Sequence, residues 1–249
     1  MDFVKGISYH LRGLHLAIKT PKLLMLGLVR LILVVLLTVL AAGFILYHHQ
    51  EILKLIWVKP ASAWLVWLWH VVSWLLAALL TGVAVILAYL GSQLLFAVII
   101  MDAMSRITER LFSGQEQVPL SKPLLQQYFF LFRQEIPRTT LPVLILLLLM
   151  ILGWLTPLGP LLTLITSGIA VIFLTWDNTD LVPARRLQPF SVRFRFLLKT
   201  LPFHLGFGLL FLVPVLNILL LSFAPVGATL YYLEYCNRQV NLQAVLRNG

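Results

Sequence analysis

Of the 249 residues, 60% are hydrophobic and only 11% charged, whereas a soluble domain devotes about a quarter of its residues to charge. A water-soluble globule is thereby excluded, and lipid is the environment that suits such a chain. The net charge of +10, from 19 Lys and Arg against 9 Asp and Glu, fits basic cytoplasmic loops beside anionic headgroups; without zinc-finger spacing or an aromatic-basic platform, no nucleic-acid partner is expected.

Ahead of the apolar blocks, Phe3, Ile7, Leu11, Leu14 and Ile18 recur at three- and four-residue steps, while Lys5, Arg12, His15 and Lys19 fall mostly elsewhere. This pattern predicts a basic amphipathic helix over 3–19 lying in the headgroup plane. Thr20-Pro21 ends it, because proline lacks a donor and biases its predecessor away from helix. The first span follows at 23–46; it begins only after twenty-two residues and is long enough to cross, unlike a cleaved signal segment. Arg30 lies about a turn and a half inside it and reads as a side chain that snorkels back to the interface.

His48 to Pro60 reads as a short polar connection. The next block, Ala61 to Met101, is 41 residues without Lys, Arg, Asp or Glu, about twice the bilayer core at roughly 1.5 Å per residue. Two spans with a tight turn or one long helix fit it. Thr81-Gly82 and Gly91-Ser92 mark a turn only weakly, so the preferred reading is one long helix over 61–111. Interfacial Trp64, Trp67, Trp69 and Trp74 open it, a cytosolic extension continues from Asp102, and Ser113-Gly114 stops it.

The last two blocks are interrupted. Leu141 to Leu155 meets Thr156-Pro157-Leu158-Gly159-Pro160 before Leu161 to Trp176; Leu201 to Val213 meets Pro214-Val215-Leu216-Asn217 before an arm to about Tyr235. None of the blocks alternates as an outer-membrane strand would, and hydrocarbon leaves helix as the alternative. Arms of about fifteen residues are short for a span, which predicts two half-penetrating hairpins, 141–176 and 201–235, with four thin full spans as the alternative. Broken helices of this kind mark substrate paths in transporters. The expected fold is therefore a single all-α polytopic membrane domain over 1–249, with two long transmembrane helices, two half-penetrating hairpins and an N-terminal interfacial helix. Basic residues gather in 1–22, 102–140, 177–200 and the tail, with only Lys54 and Lys59 in 48–60, so the basic segments are expected on the cytoplasmic side.

No enzyme signature is present, and no cofactor is expected. His48 and His49 do not face one another on a helix, so no metal site is expected either, and Cys236 reads as a spare thiol. Asp102, Arg106 and Glu109, at spacings of four and three, share a helix face. They read either as an internally paired, solvated helix end or as the inner mouth of an anion path in which Arg106 attracts and the acids tune. Asp180 and Asn217 read as helix caps or hairpin-tip residues, with a ligand role as the alternative. Arg185, Arg186, Arg193 and Arg195 read as lipid-facing positive-inside charges, with an anion-collecting vestibule as the alternative.

Asp180-x-x-Pro183, Pro189-Phe190, Phe207-Gly208, Pro214-x-x-Asn217 and Gly227-Ala228-Thr229 stand in one series near the C-terminal end. In these elements and their spacing the chain resembles the CysZ sulfate permease family, whose relatives include the eukaryotic etoposide-induced protein. Looser likenesses lie upstream at Gly13, Pro21, Asp102-x-Met104-x-Arg106-Ile107-x-Glu109, Arg138 and Pro157-x-Gly159. The resemblance implies two long transmembrane helices with two pairs of hemi-penetrating helices, homo-oligomers built from antiparallel dimers, and a bacterial inner-membrane location amid membrane lipids. It implies passage of sulfate, or sulfite, into the cytoplasm to feed cysteine synthesis.

One element departs from the pattern. Sulfate-binding members carry Gly-x-Arg-Arg after the proline matching Pro21, where this chain has Lys22-Leu23-Leu24-Met25. Lys22 keeps one charge, but the forked donors suited to a tetrahedral oxyanion are missing. Arg30 stands where the family often has a proline. Lys22, Arg30 and Arg106 are accordingly the candidate anion-binding residues. The alternative to transport is a membrane scaffold or lipid-interacting protein that keeps the fold without the anion site.

Overall fold

The computed structural model describes residues 2–56, 60–92, 98–114, 124–213 and 216–248, and among them helices form without any strand. In chain order these are α1 (Asp2–Lys19), α2 (Pro21–Ile56), α3 (Ala63–Ser92), α4 (Val98–Ser113), α5 (Leu124–Leu155) and α6 (Gly159–Thr179). Then follow α7 (Leu181–Arg185), α8 (Phe190–Lys199), α9 (Leu201–Gly208), a 3-10 turn at Leu209–Leu212, and α10 (Leu216–Asn248). Four of the described segments are long and apolar enough to cross a membrane: Pro21–Leu55, Trp64–Val85, Gly159–Thr179 and Leu216–Gln239. The protein is an all-α polytopic membrane protein.

The chain divides into two compact units, residues 28–100 and residues 1–27 with 101–249. The first holds most of α2 and all of α3. Helix α2 runs on to Ile56, so the span expected at 23–46 is longer and most of the expected polar connection is helical. Nothing in that stretch breaks a helix, and His48 pairs with Glu51 one turn on at 2.8 Å. Arg30 is 3% exposed, in keeping with the tendency of charges in apolar helices to turn from lipid. Helix α3 passes through Thr81-Gly82 and ends at Ser92. Trp64, Trp67 and Trp74 are exposed while Trp69 is buried. The expected continuity of 61–111 falls at 93–97, outside the described residues.

The second unit is organised around α10. Every residue from Leu220 to Leu233 is buried, as befits a helix apolar on all sides. Helix α1 lies across it and α9 at two glycine crossings. A methyl group added at Gly13 would overlap the backbone of Gly227, and one added at Gly206 would overlap that of Phe3. Small residues bring helix backbones together in this way. Between the crossings Phe203 and Tyr231 stack, and Tyr9 meets both edge-on. Tyr9 donates its hydroxyl to Glu234, which also pairs with Arg12 at 3.3 Å. Burial, then the Glu234 hydrogen bond, raises the Tyr9 hydroxyl pKa above its ordinary value.

The amphipathic helix predicted over 3–19 is thus present, with the addition that its small-residue side grips the protein. Thr20-Pro21 separates it from α2 as predicted, with Pro21 at the first helical position, where a missing N–H costs nothing. Helix α4 stops at Ser113 because Gly114, at φ +71°, turns left-handed and returns its N–H to the Arg110 carbonyl at 2.9 Å.

The two interrupted blocks break where predicted. Helices α5 and α6 are joined through 156–158, with Pro160 in the first turn of α6, and α9 with its 3-10 turn ends at Leu212 before α10 begins at Leu216. The second arms exceed the fifteen residues expected: α6 has 21 and α10 has 33. Helix α8 lies in the basic segment 177–200 and is bent by 75° from the Leu201–Leu212 segment at Thr200.

His10 sits in the α1 crossing, with Nδ1 donating to the Phe207 carbonyl at 2.9 Å. Burial lowers its pKa from 6.5 to about 4. Between those values the folded chain binds fewer protons than the unfolded one, so stability is full above pH 6.5 and is lost as pH falls through the window. The expected loss is about 3 kcal/mol. Thermal midpoints measured across this window should fall more steeply for the native chain than for His10→Asn, which keeps a donor for the Phe207 carbonyl; equal slopes would refute the assignment.

Candidate functional site

Helix α4 presents Asp102 and Glu109 two turns apart on one side, and the short α7 ends by bringing Arg185 and Arg186 to them. Arg185 bridges the acids, with Nη1 2.7 Å from Asp102 Oδ1 and Nη2 against Glu109 Oε2. Arg186 Nη2 donates to Glu109 Oε1 at 2.6 Å. Arg106, one turn beyond Asp102, donates through Nε to Asp102 Oδ2 at 2.7 Å. Side-chain exposure is 1% for Glu109 and 6% for Arg185, so that pair is desolvated and not a screened surface pair, whereas Arg106 and Asp102, at 41% and 34%, form the open edge of the network. Among the described residues, the guanidiniums of Arg106, Arg185 and Arg186 meet the carboxylates of Asp102 and Glu109 here. Beneath the network, Thr229 of α10 donates to Ser105 of α4 at 3.0 Å, both residues buried.

A second charged group forms where α5, α6 and α8 meet. Asp180, wholly buried, takes Nε of Arg193 at 2.7 Å and Nη2 of the same guanidinium in a side-on fork. Arg138 Nε stands 3.2 Å from Oδ2, the same carboxylate oxygen that accepts from Arg193 Nη2, while its own Nη2 donates to Asp177 at 2.6 Å. Next to this group α6 and α9 share a buried polar seam. His204 donates from Nδ1 to the Thr200 carbonyl at 2.8 Å, and the Thr179 hydroxyl donates to its Nε2 at 3.0 Å. The seam continues where Thr175 lies against Gly208.

These contacts sort the residues singled out in the sequence. Asp102 and Arg106 pair within α4 as their spacing suggests, whereas Glu109 reaches arginines of another element. Asp180 does not cap with its side chain; it serves as the anionic partner of Arg193 and Arg138. Asn217 is exposed in the first turn of α10. Arg185, Arg186 and Arg193 are not lipid-facing charges: each is ion-paired, and Arg193 is 1% exposed. Arg195 remains exposed, as expected. Lys22 is exposed on the first turn of α2 and has no ion-pair partner among the described residues. Arg30 belongs to the other unit. No local pattern marks the pairing of Glu109 with Arg185-Arg186, because the partners are 76 and 77 residues apart; the one signal in the sequence is the adjacent arginine pair just after Asp180-x-x-Pro183.

Among the described residues no group of His, Cys, Asp and Glu is arranged to hold a metal ion. The motif residues fall on helix contacts: Phe207 supplies the carbonyl for His10, Gly208 faces Thr175, Gly227 meets Gly13, and Thr229 bonds Ser105. No curated protein matches the chain. A family model does, over residues 9–222, and the chain belongs to the family it describes, sulfate transporter CysZ/etoposide-induced protein 2.4.

Proposed function

We propose that the chain passes a small inorganic oxyanion, with sulfate first and sulfite second, across the bacterial inner membrane into the cytoplasm. Membership of a transporter family supports the transport role. The observation that carries the choice of an oxyanion is the convergence of the Arg185, Arg186 and Arg106 guanidiniums on one place, since guanidinium forks suit tetrahedral oxyanions. In this reading Arg106, Lys22 and Arg30 attract the anion, and Asp102 and Glu109 keep the arginines from trapping it. Asp180 and Asn217 belong to the hairpin framework. The basic segments face the cytoplasm, the protein is a homo-oligomer, and the two hairpins enter the bilayer partway even though α6 and the Leu216–Gln239 part of α10 are each long enough to cross. Radiolabelled sulfate uptake into proteoliposomes should exceed that into empty vesicles; equal uptake with folded protein present would reject the proposal.

A second reading, a scaffold or lipid-interacting protein without transport, is favoured by one observation. Lys22-Leu23-Leu24-Met25 replaces Gly-x-Arg-Arg, and in it Leu23 is fully buried while Met25 is 60% exposed. If the native chain binds no sulfate and the triple variant Lys22→Gly, Leu24→Arg, Met25→Arg does, this reading replaces the first.

A further inference from the structure

Helix α1 has three faces, and the protein's own contacts occupy one of them. Gly6, Tyr9, His10, Gly13 and Ala17 are buried. At about 3.6 residues per turn, Val4, Leu11 and Ile18 form a row on a different side, exposed by 67%, 51% and 57%. Lys5, Arg12 and Lys19, each one residue further on, form a parallel row, and all three are exposed. One row is apolar and the other cationic. Water suits only the second, whereas the boundary between acyl chains and headgroups suits both at once. Lys5 and Arg12 also pair with Asp2 and Glu234. The Lys5–Asp2 pair is exposed on both sides, where screening is strong, and Arg12, held by Glu234 and the Tyr9 ring, keeps 54% of its side chain exposed, so the cations remain available to a dense anionic surface.

We propose that this side of α1 docks anionic phospholipid and gives the protein a preference for it over zwitterionic lipid. Charge complementarity and the adjoining apolar row favour a lipid surface over a dissolved ion. Successive cations of the row lie about 10 Å apart along the axis, too far to converge on one small anion and suited to separate headgroups. The grip of the buried face on α9 and α10 holds both rows in a fixed presentation, whether or not the protein transports anything.

The test is native mass spectrometry of the full-length protein with equal amounts of phosphatidylglycerol and phosphatidylcholine. Native protein should retain the anionic lipid preferentially, and Lys5→Gln with Lys19→Gln should reduce that preference about fivefold per lysine removed. Leu11→Gln with Ile18→Gln should lower retention of both lipids together. Equal retention of the two lipids by native protein, or an unchanged preference in the lysine variant, would overturn the proposal. So would stabilisation by inorganic phosphate over chloride at matched ionic strength that disappears in the lysine variant without any lipid preference, since the row would then be a soluble-anion site. Both lysines are exposed, and an unchanged thermal midpoint in the variant separates lost lipid preference from lost fold.

Discussion

Leucine at Gly13 or Gly227 should abolish the folded protein, while leucine at Gly82 should leave it intact. At the first two positions a side chain meets backbone, which has no rotamer to give: Gly13 faces the Gly227 main chain, and Gly227 faces the Tyr9 carbonyl. Helix α1 would have to move away from α10. That movement would open the Phe203–Tyr231 stack and separate the Tyr9 hydroxyl from Glu234. Overpacking commonly costs 1–3 kcal/mol where side chains can shift, so a backbone-to-backbone contact should cost upwards of about 3 kcal/mol. Gly82 has no neighbour within 4 Å beyond its own helix, and replacing a mid-helix glycine there should gain up to about 1 kcal/mol of helix propensity. Thermal midpoints read by size-exclusion chromatography provide the comparison. A Gly13→Leu protein as stable as Gly82→Leu would show that the crossing does not hold the unit together.

The same crossing explains how much of this fold was legible in the sequence. Helical blocks were legible because hydrocarbon forces them, and the breaks at Pro21, Gly114 and Pro157–Pro160 were legible because proline and glycine act locally. Gly13, Phe207-Gly208 and Gly227-Ala228-Thr229 carried the family resemblance without disclosing their use, since a glycine at a helix crossing looks in sequence like any other glycine in a helix. The charged networks were harder to see. Spacing on one helix gave Asp102 with Arg106, but nothing local links Glu109 to Arg185 or Asp180 to Arg138. The sequence suggests a helix cap or hairpin-tip residue at Asp180, with a ligand role as the alternative; its carboxylate instead neutralises two arginines, a role that exists only once α5 and α8 have packed. Arg185 and Arg193 were read as lipid-facing because a positive-inside bias counts charges without asking which of them are paired.

Removing the carboxylate of Glu109 should destabilise the protein severely, and sulfate should restore part of the loss. Glu109 accepts from both Arg185 and Arg186, and its side chain is 1% exposed. In Glu109→Ala, Arg185 keeps Asp102 at 2.7 Å, but Arg186 loses its ion pair in a setting where its side chain is only 24% exposed. Breaking a buried pair from one side costs about 3–5 kcal/mol, because the remaining charge stays desolvated and unpaired. The vacated space lies between two guanidiniums, and a tetrahedral oxyanion can take the bonds the carboxylate gave up. An anion at a hundred times its dissociation constant would restore about 2.7 kcal/mol. Sulfate should therefore raise the thermal midpoint of Glu109→Ala well above that seen in chloride of equal ionic strength, and raise it less in the native chain, where Glu109 competes for the same donors. Arg185→Ala in the Glu109→Ala background should remove the rescue. A Glu109→Ala protein as stable as the native one would mean that the carboxylate does not neutralise the pair. Equal rescue by sulfate and chloride would mean that the arginines respond to charge alone, which would take away the oxyanion selectivity on which the proposed transport rests.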